Sequence, residues 1–258
     1  MNPARKTSIA AGTLFVIATI AALAAPGVAP ALTGSDYLAG VAEHPQRLAA
    51  AALLYLIAAG TSVGIAIALY PLLKKVNAAL ALGSVVFRTI EAVFYTVAVV
   101  SLLSLVPLGQ QLATAPDENR APIQVIADTL LNMREHSNVA AVFAFSVAAV
   151  MYYTLFLRSQ LVPRWLSGWG VAAALLIMTA CLLALVSNND VTGYAFLILP
   201  ILVQEMVLAV WLLVKGFRPS PLTSTASSES STTLSRNDST VRSGAAPTSS
   251  GSSPTATP

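Results

Sequence analysis

The chain is predicted to be an all-α, polytopic transmembrane bundle, and three observations carry that prediction: its composition, the length of its apolar runs and the placement of its charges. Hydrophobic residues make up 56% of the 258 positions and charged residues 10%, with a mean hydropathy of +0.74. A soluble globule of this length needs a far more polar surface. Six apolar runs are long enough to cross a ~30 Å hydrocarbon core, which takes about 20 helical residues. The runs are continuous and lack the alternation of a membrane barrel, so helices are the spanning form that satisfies their backbone groups.

The spans are placed at residues 9–25, 48–73, 80–108, 139–157, 166–187 and 194–214. The first follows Arg5 and Lys6 and runs into the small-residue stretch Ala25 to Ala31 (APGVAPA), which also suits a secretory signal and its cleavage site. It is long for a signal core of about 7–15 residues, so it is kept as a span; cleavage would leave five spans in the same orientation. Between the third and fourth spans, Pro122 to His136 sets Ile123, Ile126, Leu130 and Met133 at helical spacing, opposite Gln124, Asp128 and Glu135. That pattern predicts a short amphipathic helix on the outer surface, either packed on the bundle or lying as a lid over an outward-facing cavity.

The loop charges supply an orientation. Arg5 and Lys6, Lys74 and Lys75, Arg158 and Arg164, and Lys215 and Arg218 fall on one side, which the positive-inside rule makes cytoplasmic. The other side holds Arg47, Arg120 and Arg134 among Asp36, Glu43, Asp117, Glu118, Asp128, Glu135 and Asp190. Both termini are therefore expected in the cytoplasm. Trp165, Trp169 and Trp211 lie near the cytoplasmic span ends, where indole prefers to sit. The pI of about 9.2 thus reflects short loops, which speaks against nucleic acid as a partner and leaves the lipid bilayer.

Two domains follow: a bundle over residues 1–218, and a Ser/Thr/Pro-rich stretch over 219–258 with no apolar period. The second cannot bury enough surface to offset the entropy of ordering and is expected to be a disordered cytoplasmic tail. Its Asn237-Asp238-Ser239 glycosylation pattern is read as chance on that side of the membrane.

Within the spans the charges stand out. A charge near the centre of a membrane helix costs roughly 2.5–3.5 kcal/mol on insertion scales, so Arg88 and Glu91 need a reason to be there. Being three apart, they share a helix face and can pair. Gln204 and Glu205 lie in the sixth span, and Glu205 sits about 15 Å from its cytoplasmic end, against about 12–14 Å for Arg88 in the third. Matching depths suggest a buried polar cluster of Arg88, Glu91, Gln204 and Glu205, with Arg88 shared between two carboxylates. One negative charge is then in excess, and a bound proton would neutralise it. Pro200, one turn before Gln204, removes a backbone donor, as in the broken helices of transport sites. Helix pairing alone is a sufficient explanation of the cluster; a transport or ligand role is the other.

Gly60 and Gly64 form a GxxxG pattern in the second span, which permits close helix approach and weakly suggests a homo-oligomer. The single cysteine, Cys181, excludes an intrachain disulfide and a cysteine metal cluster. His44 and His136 fall in loops, leaving no intramembrane histidine pair for haem. Without an HExxH, GxSxG or GxxxxGK[ST] pattern, no catalytic, cofactor-binding or metal residues are assigned and enzyme activity is not expected.

The stretch Leu69 to Tyr95 (LYPLLKKVNAALALGSVVFRTIEAVFY) and the block Tyr152 to Gly170 (YYTLFLRSQLVPRWLSGWG) resemble, in order, the patterns of a bacterial membrane family catalogued as a domain of unknown function, DUF family four-three-eight-six. The resemblance runs roughly from Ile9 to Lys215. It implies a helical protein of six to seven spans in the bacterial cytoplasmic membrane, with no assigned reaction and no catalytic residues to carry over. Arg88 and Glu91 fall in its FRxxEA motif, and the loop Ser35 to Leu48, with Asp36 and Arg47, is also similar to the family's. The expected function is that of an integral membrane protein of unassigned activity, non-enzymatic and structural, accessory or sensory. The alternative is a small-solute or proton-linked transporter using Arg88, Glu91 and Glu205.

Overall fold

The computed structural model describes residues 3–187 and 191–218, and these are helical almost throughout. The helices are α1 (Pro3–Val28), α2 (Tyr37–Glu43), α3 (Pro45–Leu73), α4 (Ala78–Leu103), α5 (Leu105–Thr114), α6 (Asp117–Ser159), α7 (Arg164–Ser187) and α8 (Ala195–Val214), the last preceded by a 3₁₀ turn at Val191–Tyr194. Six segments are long and apolar enough to cross a membrane, α1, α3, α4 with α5, α6, α7, and α8 with its leading turn. Residues 219–258, expected to be a tail, and Asp190 lie outside the described residues.

Local chemistry sets the helix ends. Pro45 opens α3, where its missing N–H and fixed φ cost nothing. Asn77 is extended and its side chain accepts from the Leu80 amide at 3.0 Å, capping α4. Gln160, at φ 56, turns the chain out of α6 in the left-handed conformation.

The six long helices close into a ring. Taken around it, the neighbours are α1, α3, α4, α6, α7, α8 and again α1. Consecutive spans are adjacent, and α1 meets α8 to seal the circle. Arg5 of α1 donates to the Leu212, Leu213 and Val214 carbonyls at the end of α8, and Ser8 donates to Leu212. These carbonyls have no partner within their own helix, and a cation suits that end of the helix dipole.

Packing inside the ring favours small side chains. Ala11, Ala52, Ala81, Ala148, Ala173 and Ala209 are buried, as are Ser62, Ser84, Ser146 and Ser167. Large apolar residues point outward, among them Ile20, Leu53, Ile67, Leu82, Leu185 and Phe196. Small residues at helix contacts and an apolar periphery are what a lipid solvent selects, and larger side chains such as Phe15, Tyr153 and Phe156 are fully buried between them. Gly12 backs onto Leu213 and the Ala209 carbonyl, and Gly170 onto the ring of Tyr153. In the GxxxG pattern, Gly64 faces Leu14 of α1 in the same chain, while Gly60 meets nothing within 4 Å.

A second apolar cluster lies at one end of the ring. Tyr37, Leu38 and Val41 of α2 pack with Leu102, Leu105 and Ala127, and Gly109 of α5 approaches the Leu38 carbonyl and Ala42 closely. The Tyr37 hydroxyl donates to Asp128 at 2.7 Å. Burial, then the hydrogen bond and charge of Asp128, push the Tyr37 phenol well above the usual tyrosine range.

Two expectations from the sequence change. Pro122–His136 is not a separate surface helix: α6 runs unbroken for 43 residues, about 64 Å at the helical rise, so it extends well past a ~30 Å hydrocarbon core. Its packed face there is Ala127, Leu130 and Leu131, whereas Ile126 and Met133 are exposed. The third apolar run, for its part, breaks at Ser104, which links α4 to α5.

Candidate intramembrane charge cluster

Arg88 lies ten residues after the start of α4, about 15 Å along it. It faces the middle of the ring and is 3% exposed. Its Nη1 contacts both oxygens of Glu91 one turn on, Oε2 at 3.2 Å and Oε1 at 3.5 Å. Its Nη2 lies 3.5 Å from Oε1 of Glu205 on α8. Since α4 and α8 stand opposite one another in the ring, this second contact crosses the bundle's centre.

Two hydroxyls complete the group. Ser62 of α3 accepts from Arg88 Nη1 at 2.9 Å and donates to Glu91 Oε2 at 2.9 Å. Tyr152 of α6 accepts from Arg88 Nη2 at 3.2 Å and donates to Glu205 Oε1 at 3.2 Å. Each hydroxyl thus bridges the guanidinium to a different carboxylate. The guanidinium also stacks over Phe145, 4.4 Å from the ring centroid, a contact that stabilises a desolvated cation. Arg88 Nε is buried and meets no acceptor. Four helices, α3, α4, α6 and α8, supply the group.

The structure brings together Arg88, Glu91 and Glu205. Gln204 is adjacent in sequence and buried, but it belongs to a neighbouring network. It accepts from the Tyr153 hydroxyl and donates to the Leu166 carbonyl at 3.2 Å, tying α8 to α6 and α7. Consecutive helical residues point about 100° apart, so Gln204 and Glu205 cannot both face Arg88.

Ser62, Phe145 and Tyr152 were not singled out from the sequence. A signal was present for two of them: Ser62 sits between Gly60 and Gly64, and Tyr152 opens a Tyr-Tyr pair inside an apolar run. Neither shows its partner without the ring order.

These features define a class: a multi-pass helical membrane protein, with six apolar helices around a buried guanidinium and two carboxylates. The family can be stated as well. The chain belongs to the family described as Domain of unknown function (DUF4386), whose model matches residues 10–216 and so takes in the whole triad. No curated protein and no solved structure matches the chain.

Proposed function

We propose that the protein is a non-enzymatic bundle of the bacterial cytoplasmic membrane, with a structural, accessory or sensory role, whose charge triad fixes the arrangement of the spans. The supporting observation is that Arg88, Glu91 and Glu205 with their two bridging hydroxyls join four helices across the ring. In hydrocarbon such a group is held together by the cost of separating it. Under this reading the end bearing Lys74, Lys75, Arg158, Arg164 and Lys215 faces the cytoplasm.

A second reading, small-solute or proton-linked transport, is favoured by one feature: two carboxylates share one cation in the centre of the ring; Pro200, in contrast to the broken helix its position suggested, lies inside an α8 that continues through it. The two readings are separated by flux in proteoliposomes alongside melting in detergent, using Glu91→Gln and Glu205→Gln proteins. Flux that disappears in either variant while melting is unchanged selects transport; no flux in the wild type, with stability lost in Arg88→Gln, selects the structural role. Native mass spectrometry, which needs no guess of substrate, would reveal a co-purifying lipid or chromophore and displace both.

A further inference from the structure

The two carboxylates of the triad are not equivalent. Glu91 receives Arg88 Nη1 on both oxygens and Ser62 on Oε2. Both contacts to Glu205 fall on Oε1, the nearer at 3.2 Å, and no donor among the described residues reaches Oε2. The guanidinium edge formed by Nε and Nη2 can seat a carboxylate with two parallel bonds, yet here it holds Glu205 through Nη2 alone and leaves Nε without an acceptor. Glu205 also retains more exposure, 11% of its side chain against 5% for Glu91.

Charge counting points the same way. Around the triad stand Ser62 of α3, Tyr95 of α4, and Tyr152 and Tyr153 of α6, with Tyr55 of α3 beside Tyr95. On the helices flanking α8, Arg5 of α1 is committed to the carbonyls at the far end of α8, and the Cys181 thiol of α7 faces the Val139 carbonyl. Arg88 is the single cation among these neighbours. With both glutamates ionised the group carries one negative charge in excess, and the Glu205 oxygen that no protein donor reaches is where a proton neutralises it without displacing a bond.

We infer that Glu205 is a single-proton site, carrying the proton on Oε2 while Glu91 remains ionised against Arg88 and Ser62. The proton comes from hydronium, whose O–H bond breaks as one forms at Oε2, leaving water and a neutral acid whose Oε1 still accepts from Tyr152. The triad then carries no net charge. This inference rests on reading the six helices as membrane spans, and it names the ligand the triad takes under either proposed role.

Infrared spectroscopy of the purified full-length protein in lipid nanodiscs tests it, in light and heavy water at neutral pH. A protonated-carboxyl band, shifted in heavy water, is expected in the wild type. It should be lost in Glu205→Gln, displaced in Tyr152→Phe, which removes the donor to Oε1, and unmoved in Ser62→Ala, which removes a donor to Glu91; Glu91→Gln takes away the excess negative charge, so there Glu205 should ionise against Arg88 and the band should go as well. The amide of Glu205→Gln mimics the neutral acid, so that variant should melt close to the wild type. Absence of the band in the wild type, its survival in Glu205→Gln, or failure of Glu205→Gln to fold each overturns the inference. A band displaced in Ser62→Ala and unmoved in Tyr152→Phe would place the proton on Glu91 and overturn the inference as well. A null flux measurement would remove transport and leave the proton site standing, so the two ideas fail separately.

Discussion

Arg88 makes more polar contacts in the cluster than any neighbour, and its removal should cost most. Arg88→Gln leaves Glu91 buried without its cation, and breaking one partner out of a buried pair costs about 3–5 kcal/mol. Tyr152→Phe removes one hydroxyl and leaves the ions paired, a change of about 0.6–1.7 kcal/mol for a hydrogen bond between membrane helices. Thermal melting of purified protein in detergent should rank the variants in that order; equal effects would contradict the triad as the centre of the network. A packing test is independent of charge. A methyl group at Gly170 would run into the ring of Tyr153, itself fully buried, so Gly170→Ala should cost about 1–3 kcal/mol by overpacking. Gly60→Ala, with nothing within 4 Å, should leave melting unchanged. The sequence exposed the charged residues because charge in an apolar run is costly. It hid the tight glycines, since closeness depends on which helix lies opposite, and so the GxxxG pattern drew attention to Gly60 rather than Gly170.

At the scale of elements, α1 is bound into the bundle as firmly as its neighbours. Ala11, Phe15, Ala21 and Ala25 are buried along it, and its contacts with α3 and α8 close the ring. Removal of α1 as a signal segment would open a seam of small buried residues to lipid and leave the α8 carbonyls without Arg5. Mass spectrometry of protein purified from membranes should therefore find α1 retained; a product starting near Ala31 would contradict this. The cap of α2, α5 and the first half of α6 makes a different prediction, set by Tyr37. The folded state holds its phenol neutral, with the acid form favoured beyond the unfolded value of about 10. Its contribution is thus complete at neutral pH, stays in force up to the ordinary tyrosine range, and is lost as pH rises through the higher folded value. Amide exchange in α2 should be insensitive to pH-induced unfolding near neutrality and loosen only in strong alkali, and Tyr37→Phe should abolish that alkaline step. The length of the apolar runs made the spans readable. The continuity of α6 was not, because residues 117–138 are too polar to look like a span, and nothing local marks a helix as continuing through the membrane surface.

For the whole molecule, the ring and the charge asymmetry come from different parts of the sequence. The asymmetry is one-dimensional and can be read off the loops. The ring requires that α1 meet α8 and that α4 face α8 across the centre, and no periodicity in a single helix encodes that. Only matched depth, about 12–14 Å for Arg88 and about 15 Å for Glu205, hinted at it. The structure groups the ends of the spans into two sets: Lys74, Lys75, Arg158, Arg164 and Lys215 at one, and α2, α5 and the start of α6, with Asp117 and Glu118, at the other. If the positive-inside rule sets the orientation, the second set faces outward. A Cys181→Ser protein with a single cysteine replacing either Lys75 or Asp117 decides this in intact cells. A membrane-impermeant thiol reagent should label the Asp117→Cys protein, and label Lys75→Cys only after the membrane is opened. Labelling of both in intact cells would contradict the separation of the two ends, and the reverse pattern would place the basic end outside. The same experiment bears on the triad, because it gives each end of the bundle a compartment to which a pH response at Glu205 can be ascribed. With the ends assigned, setting the pH separately on the two sides of sealed vesicles would show from which face the Glu205 carboxyl band responds.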